Sequence, residues 1–285
     1  MILIIGKTGQ LARALLGSAP VGVDVVALGR DDLDVGDLPA VGAEITQHAP
    51  SLVINATAYT AVDRAEQDEA AAHLINAAAP AQMARAARDA GARFVHVSTD
   101  FVFDGTGNLP YPIDAPRAPI GVYGATKAEG EEAVLATDPD ALIVRTAWVY
   151  DATGKNFVTT MLRLMAERPE LGVVSDQIGT PTSAGTLATA LWELIEAKAS
   201  GIHHFTDAGV ASWYDFAVAI SELALEQGLL PRPARVRPIR TVDYPTPARR
   251  PAYSVLDKTA TWPLLRTPEQ HWRKVLSDIL AKDTL

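Results

Sequence analysis

The chain has 285 residues, 48% of them hydrophobic and 21% charged, which suits a cofactor domain with a smaller second lobe and is too apolar for disorder. It contains no cysteine, so disulfides, thiolate metal sites and cysteine nucleophiles are excluded. Its net charge of -9 argues against a general nucleic-acid binder, yet leaves room for a phosphate-bearing small ligand at a local positive site.

The first apolar run, Ile2–Ile5, starts at once, with no basic segment and long apolar stretch of the kind a signal peptide needs. No apolar run approaches the roughly 20 residues of a membrane span. The expectation is a cytoplasmic protein with no membrane partner. Further short apolar runs follow at Asp24–Leu28, Leu52–Asn55, Arg93–Ser98 and Ala141–Thr146. Between them lie alanine-rich helical stretches at Gln10–Gly17, Pro39–His48, Arg64–Gly91 and Gly124–Thr137. Continuous apolar strands alternating with helices predict a parallel sheet covered on both faces, a doubly wound α/β fold of Rossmann type. The second half predicts helices at Asn156–Glu167, Ser183–Lys198 and Tyr214–Gln227, and a closing helix at Thr267–Lys282. Residues 171–174 and 201–206 are candidate strands, and Pro231 to Pro251 reads as a surface loop. A boundary near Tyr150 divides a dinucleotide-binding domain, 1–150, from a mainly substrate-binding lobe, 151–285. Parts of about 171–206 are expected to return to the Rossmann sheet.

Gly6-Lys7-Thr8-Gly9-Gln10-Leu11-Ala12 follows the first strand and opens the first helix, with spacing Gly-x-x-Gly-x-x-Ala. Glycine at such a turn lets the backbone bend and approach a pyrophosphate. The helix N-terminus offers free N–H groups and partial positive charge to that phosphate. Ala12 stands where a third glycine is usual, a mild departure. An acidic residue at the tip of the second strand would select NADH by bonding the ribose 2′-OH. Here the strand ends Leu28-Gly29-Arg30, so Arg30 could pair with a 2′-phosphate and NADPH is preferred. Asp31 and Asp32 come next and keep NADH open, and Asp34-Val35 is placed beside the adenine. The third strand ends in Asn55 and the small residues Ala56-Thr57-Ala58 before Tyr59, leaving room for a cofactor at a strand's carboxyl end.

Tyr123 and Lys127 stand four apart and share one face of a helix. A free phenol has a pKa of about 10, and losing its proton at pH 7 costs about 4 kcal/mol. A neighbouring ammonium lowers that cost, so the pair can act as a general acid toward a carbonyl oxygen. Thr99, with Ser98 as the alternative, ends the preceding strand and can bond the same oxygen, and Asp100 could hold a sugar hydroxyl.

Together these pieces resemble the extended short-chain dehydrogenase/reductase superfamily, and within it the dTDP-4-dehydrorhamnose reductase family. Gly6 to Leu11, Asn55 to Asp63, Ser98 to Gly105, Tyr123 to Lys127 and Arg145 to Tyr150 carry the resemblance. Asn156-Phe157, Asp176 to Thr182 and Tyr244 to Pro251 extend it toward residue 275. Ser98-Thr99-Asp100-Phe101-Val102-Phe103-Asp104-Gly105 is its most specific part.

The resemblance implies reduction of the C4 ketone of dTDP-4-dehydro-L-rhamnose to dTDP-L-rhamnose. Tyr123 would be the proton donor, and Lys127 would tune it and hold the nicotinamide ribose. Thr99 would assist at the carbonyl, with Asp100 and Trp148 on the sugar. Phe101 stands where related dehydratases carry a glutamate, which argues against dehydration. The first helix lacks the carboxylates that some family members use around magnesium, so no metal is expected, and a homodimer stays open. Two other readings also stay open. One is another nucleotide-sugar 4-ketoreductase. The other is a non-catalytic, NADP-binding regulatory subunit of methionine adenosyltransferase. His203 and His204, adjacent in a candidate strand, point to opposite faces and make a poor metal pair. Trp213 and Tyr214 are expected to pack the small lobe, and Arg250 is the arginine of its local basic stretch best placed to reach a diphosphate.

Overall fold

Residue alternation builds a two-sided sheet in the computed structural model, which describes residues 1–282. Ile2–Ile5 (β1), Val25–Leu28 (β2), Leu52–Asn55 (β3), Arg93–Thr99 (β4), Leu142–Thr146 (β5) and Gly201–His204 (β6) pair in parallel in the order β6-β5-β4-β3-β1-β2. Successive strand residues point to opposite faces. Ile2 and Ile4 therefore join Leu52, Ile54, Val95 and Val144 on one face, under Gln10–Gly17 (α1) and a helix at Ala184–Glu196. Leu3 and Ile5 join Val53, Phe94 and Ile143 on the other. That face is covered by Leu38–His48 (α2), Ala79–Asp89 (α3) and Val122–Thr137 (α4). All four residues of β1 and of β3 are buried, as strands covered on both faces require. β2 and β3 flank β1, so the chain's winding reverses there and leaves a crevice outside the carboxyl ends of the strands.

A separate core forms from later residues. Phe157–Glu167 (α5), Trp213–Glu226 (α7, after Ala184–Glu196 as α6) and Trp272–Lys282 (α8) contribute Met161, Phe216, Ile220 and Leu276 around Tyr150.

Four stretches differ from their sequence expectations. The helix expected over Arg64–Gly91 is broken into Val62–Ala65, Glu69–His73, a π-helical turn at Leu74–Ala78, and α3. Pro80 has no N–H to give the Asn76 carbonyl, so the regular ladder cannot run through. Gly130 of α4 packs on that carbonyl instead: a Cβ there would lie 2.1 Å from Asn76 O. The stretch near 171–174, a candidate for the main sheet, lies in Glu170–Val174 and pairs only with Arg235–Ile239. That partner strand falls inside the expected Pro231–Pro251 loop. Both strands of a two-stranded ribbon are edges, so Pro238, which lacks an N–H, is tolerated. The closing helix begins at Trp272 rather than Thr267, because the Thr267 N–H and hydroxyl bond Glu193 of α6.

Candidate active site

The turn after β1 meets the end of β3. Gly6 has φ of +110°, a conformation open to glycine, and a Cβ on it would lie 3.2 Å from Ala56 O. Its N–H donates to Leu28 O at 2.8 Å, and the Ala56 N–H donates to Ile5 O at 2.9 Å. Thr8 and Gly9 are exposed, Gln10 and Leu11 half-buried, and a Cβ on Gly9 would meet nothing within 4 Å. No side chain caps α1 and no acid lies in its first turn, so no side chain of the protein takes up its leading N–H groups. This cradle fits a pyrophosphate.

At the tip of β2, Arg30, Asp31 and Asp32 are all exposed. The Asp32 carboxylate accepts from the Gly29 N–H at 2.8 Å and lies 3.4 Å from Lys7 Nζ, and these contacts hold it below the usual carboxylate range. Asp34 accepts from the Gly36 N–H at 2.9 Å, and half-buried Val35 packs against the core.

Ala56, Thr57, Ala58 and Tyr59 are all half-buried. Thr57 donates through its N–H and its hydroxyl to Asn55 Oδ1, at 2.9 and 2.7 Å. Tyr59 donates its N–H to Asn76 Oδ1 at 2.8 Å and its hydroxyl to Asp68 at 3.2 Å. Asn76 also donates to Thr126 Oγ1 at 3.2 Å, so its π-helical turn ties the β3 loop to α4. Sequence reading missed Asn76. The available signal was a lone amide in an alanine-rich stretch.

Thr99 ends β4 and caps the short 3-10 turn Asp100–Val102, accepting from the Phe101 N–H at 3.2 Å. Its hydroxyl donates to Asp100 Oδ1 at 2.9 Å. Asp100 is 2% exposed, and burial pushes its carboxyl up to about 6. Its other oxygen, Ser98 Oγ and Thr146 Oγ1 are buried without a hydrogen-bond partner, a cluster of polar atoms at the ends of adjacent strands.

Tyr123 packs edge-on against Phe101, with ring centroids 5.5 Å apart. Burial pushes its phenol up to about 12, with the Thr99 hydroxyl opposing the rise and the Asp100 charge adding to it. Lys127 is 1% exposed; its ammonium nitrogen lies 2.7 Å from Val97 O and 3.1 Å from His96 Nε2. The sequence expectation that Lys127 pulls the phenol down is therefore not met in this geometry. The lysine is turned toward β4, and burial brings it down to about 8, with Glu131 opposing.

Gly124 follows Tyr123 because α4 runs against the turn after β4: a Cβ on it would lie 2.2 Å from Phe101 O. Gly124→Ala is expected to lower stability by about 1–3 kcal/mol, since backbone has to move to relieve the clash. Denaturant titration checks this, and an unchanged midpoint would contradict it.

Trp148, two residues after the end of β5, packs at the edge of the later core. It holds φ of +48°, unusual for a non-glycine, and stacks on Trp213 at 3.5 Å and 6°. Gly179 leaves room for it, because a Cβ there would lie 2.7 Å from Trp148 Cε2. Trp213 thus packs in the second lobe, as expected, and against Trp148 in particular. Arg250 is occupied by a bidentate pair with Asp63, both contacts at 2.9 Å. Among the described residues no helix is long and apolar enough to cross a membrane, and no group of three or more His, Cys, Asp or Glu side chains could hold a metal ion.

The sequence profile described as RmlD substrate binding domain matches residues 1–285. The chain belongs to this family. A Burkholderia thailandensis protein named dTDP-4-dehydrorhamnose reductase is 45% identical over 270 residues, covering 91% of both chains. A Streptomyces antibioticus relative, named "Probable dTDP-4,6-dihydroxy-2-methyloxan-3-one 4-ketoreductase", is 43% identical over 290 residues, covering 99% of this chain and 96% of its own. The Bacillus anthracis dTDP-4-dehydrorhamnose reductase, solved in complex with NADP, superposes with a TM-score of 0.93 at 32% identity, covering 99% of each chain. Membership of the RmlD family thus extends over the Gly6 turn and the later core alike.

Proposed function

We propose that this chain is an NAD(P)H-dependent oxidoreductase that reduces the C4 ketone of dTDP-4-dehydro-L-rhamnose to dTDP-L-rhamnose. One observation carries the reading. Thr99, Asp100 and Tyr123 converge at the carboxyl end of β4, at the same end of the sheet as the uncapped N-terminus of α1. Bound reduced nicotinamide supplies hydride to the carbonyl carbon. Tyr123 gives its phenolic proton to the carbonyl oxygen, and a phenol held near 12 is fully protonated at neutral pH. Thr99 orients that oxygen by a hydrogen bond. Asp100 and Trp148 hold the sugar, and the lobe after Tyr150 serves as the substrate lobe. Gly6, Thr8, Gly9, Gln10 and Leu11 cradle the pyrophosphate; Asp34 and Val35 flank the adenine; Ala56 to Tyr59 line the cofactor's path. Lys127 contacts the nicotinamide ribose.

NADPH is the preferred reductant in this reading. Arg30 is exposed at the β2 tip, and of the two acids that follow it, Asp32 is engaged by Gly29 and Lys7. Arg30→Ala is expected to raise KM for NADPH about tenfold or more, the loss of one charge-assisted hydrogen bond, with NADH little affected. Equal effects on both cofactors would remove Arg30 from the 2′-phosphate site.

The deciding assay supplies dTDP-4-dehydro-L-rhamnose and follows NADPH and NADH absorbance. Oxidation supports the reading. Binding of NADPH without oxidation sinks it and leaves a non-catalytic NADP-binding subunit. The Streptomyces antibioticus relative favours, as second reading, another dTDP-sugar 4-ketoreductase. Comparing rates on the two ketosugars separates them.

A further inference from the structure

Lys127 is held by a buried chain of polar groups that the reaction above does not use. Thr57 gives both its N–H and its hydroxyl to Asn55 Oδ1, at 2.9 and 2.7 Å. A backbone N–H is a donor in every protonation state, so the atom facing it must be the amide oxygen. The Asn55 side chain therefore cannot be turned over. Its Nδ2 faces His96 Nδ1 at 3.1 Å, and Asn55 and His96 are both fully buried. Nδ1 must then be the acceptor, which puts the imidazole proton on Nε2. That N–H points at Lys127 Nζ, 3.1 Å away. An ammonium there would set donor against donor. A neutral amine accepts from Nε2–H with its lone pair and still donates to Val97 O at 2.7 Å.

We propose that Asn55 and His96 are positioning residues that hold Lys127 as a neutral amine in the ligand-free enzyme. The consequence lies at Tyr123. Without a cation beside it, the phenol keeps its proton, and the resting site is poised to donate rather than to accept. The groups facing Lys127 agree. From β4, burial keeps His96 well below its ordinary range. From β3, Asn55 is uncharged. On α4, Glu131 favours the ammonium, but it is bound by Arg145 at 2.7 Å and lies 3.7 Å from Arg117. Tyr123, the other titratable neighbour on α4, is neutral, and Asp100 lies against Tyr123. Burial of Lys127 acts in the same direction, toward about 8.

The role given to the poise rests on the proposed reductase reading; the charge state does not, and it is measured without turnover. In protein carrying 15N-histidine, His96 is expected as the Nε2–H tautomer throughout pH 6–9, the roughly neutral range where an ordinary imidazole would change charge. In protein carrying 13C-lysine, the Lys127 Cε signal, assigned by its loss in Lys127→Arg, is expected to titrate below about pH 7, more than three units under the ordinary lysine value of about 10.4. Asn55→Asp tests the chain itself. A carboxylate accepts from Nδ1–H, moves the imidazole proton off Nε2, and turns a lone pair toward Lys127. The lysine midpoint should rise by at least one unit, a tenfold change in proton affinity. Because the new carboxylate also raises the lysine by its charge alone, the rise counts for the chain only with a simultaneous switch of His96 to the Nδ1–H tautomer; a rise with Nε2–H retained counts against it. An Nδ1–H tautomer in the wild type, or a wild-type lysine titrating above neutral pH, overturns the proposal even if Asn55→Asp does not fold. An inactive enzyme with the expected spectra would sink the reductase reading and leave this one standing.

Discussion

Tyr123→Phe is expected to lower kcat by about 100-fold or more while leaving NADPH binding unchanged, the loss associated with a positioned general acid. The substitution removes one oxygen. It keeps the ring against Phe101, at 5.5 Å edge-on, so the helix and its neighbours have no reason to move. The wild-type phenol, raised to about 12 chiefly by burial, is a full proton donor across the neutral range. Parallel stopped-flow traces of NADPH consumption and a fluorescence titration of cofactor binding check this. A variant that keeps a tenth of the wild-type rate would place the proton donor elsewhere, with Asp100 next in line because its carboxyl sits near 6 and beside the same hydroxyl.

Glu131→Ala is expected to cost about 3–5 kcal/mol of stability, the penalty for leaving a buried charge without its partner. Arg145 lies inside β5 and is 1% exposed; Glu131 on α4 is fully buried. The two meet through a pair of contacts at 2.8 and 2.7 Å. The guanidinium also donates to Ile113 O at 3.2 Å and sits 5.1 Å over the Phe103 ring. Those groups cannot replace a carboxylate. Replacing both partners, as Glu131→Leu with Arg145→Met, should recover most of the loss, because apolar side chains of similar volume carry no desolvation penalty. Urea midpoints for the single and double variants decide the matter. A loss under about 1 kcal/mol in Glu131→Ala would mean that the guanidinium is solvated rather than enclosed.

This pair also marks where sequence reading ran short. Ala141–Thr146 is legible as an apolar strand, and Arg145 within it signals that a buried partner must exist. Nothing in the local pattern says that the partner lies on α4, which meets β5 only through the packing of helix on sheet. Asn76 is similar. It stands in an alanine-rich stretch that reads as one helix, and only Pro80 and the close approach of Gly130 turn its neighbourhood into a π-helical turn. Arg235–Ile239 reads as loop because proline and arginine dominate it, and becomes a strand because Glu170–Val174 offers it an edge.

Local periodicity and local chemistry were enough for the five strands β1 to β5, for the two-sided burial of β1 and β3, and for the cradle from Gly6 to Leu11. They also sufficed to place Tyr123 and Lys127 four apart on one helix. Each depends on neighbours within a few residues: alternation every two residues, a turn that needs glycine, an i, i+4 spacing. Tertiary structure alone decided which way the Lys127 amine points, that His96 and Asn55 stand behind it, that Trp148 stacks on Trp213, and that Gly201–His204 joins the sheet while Glu170–Val174 does not. Those outcomes join residues far apart in the chain, and they follow from which buried donors find acceptors and which strand edges remain free.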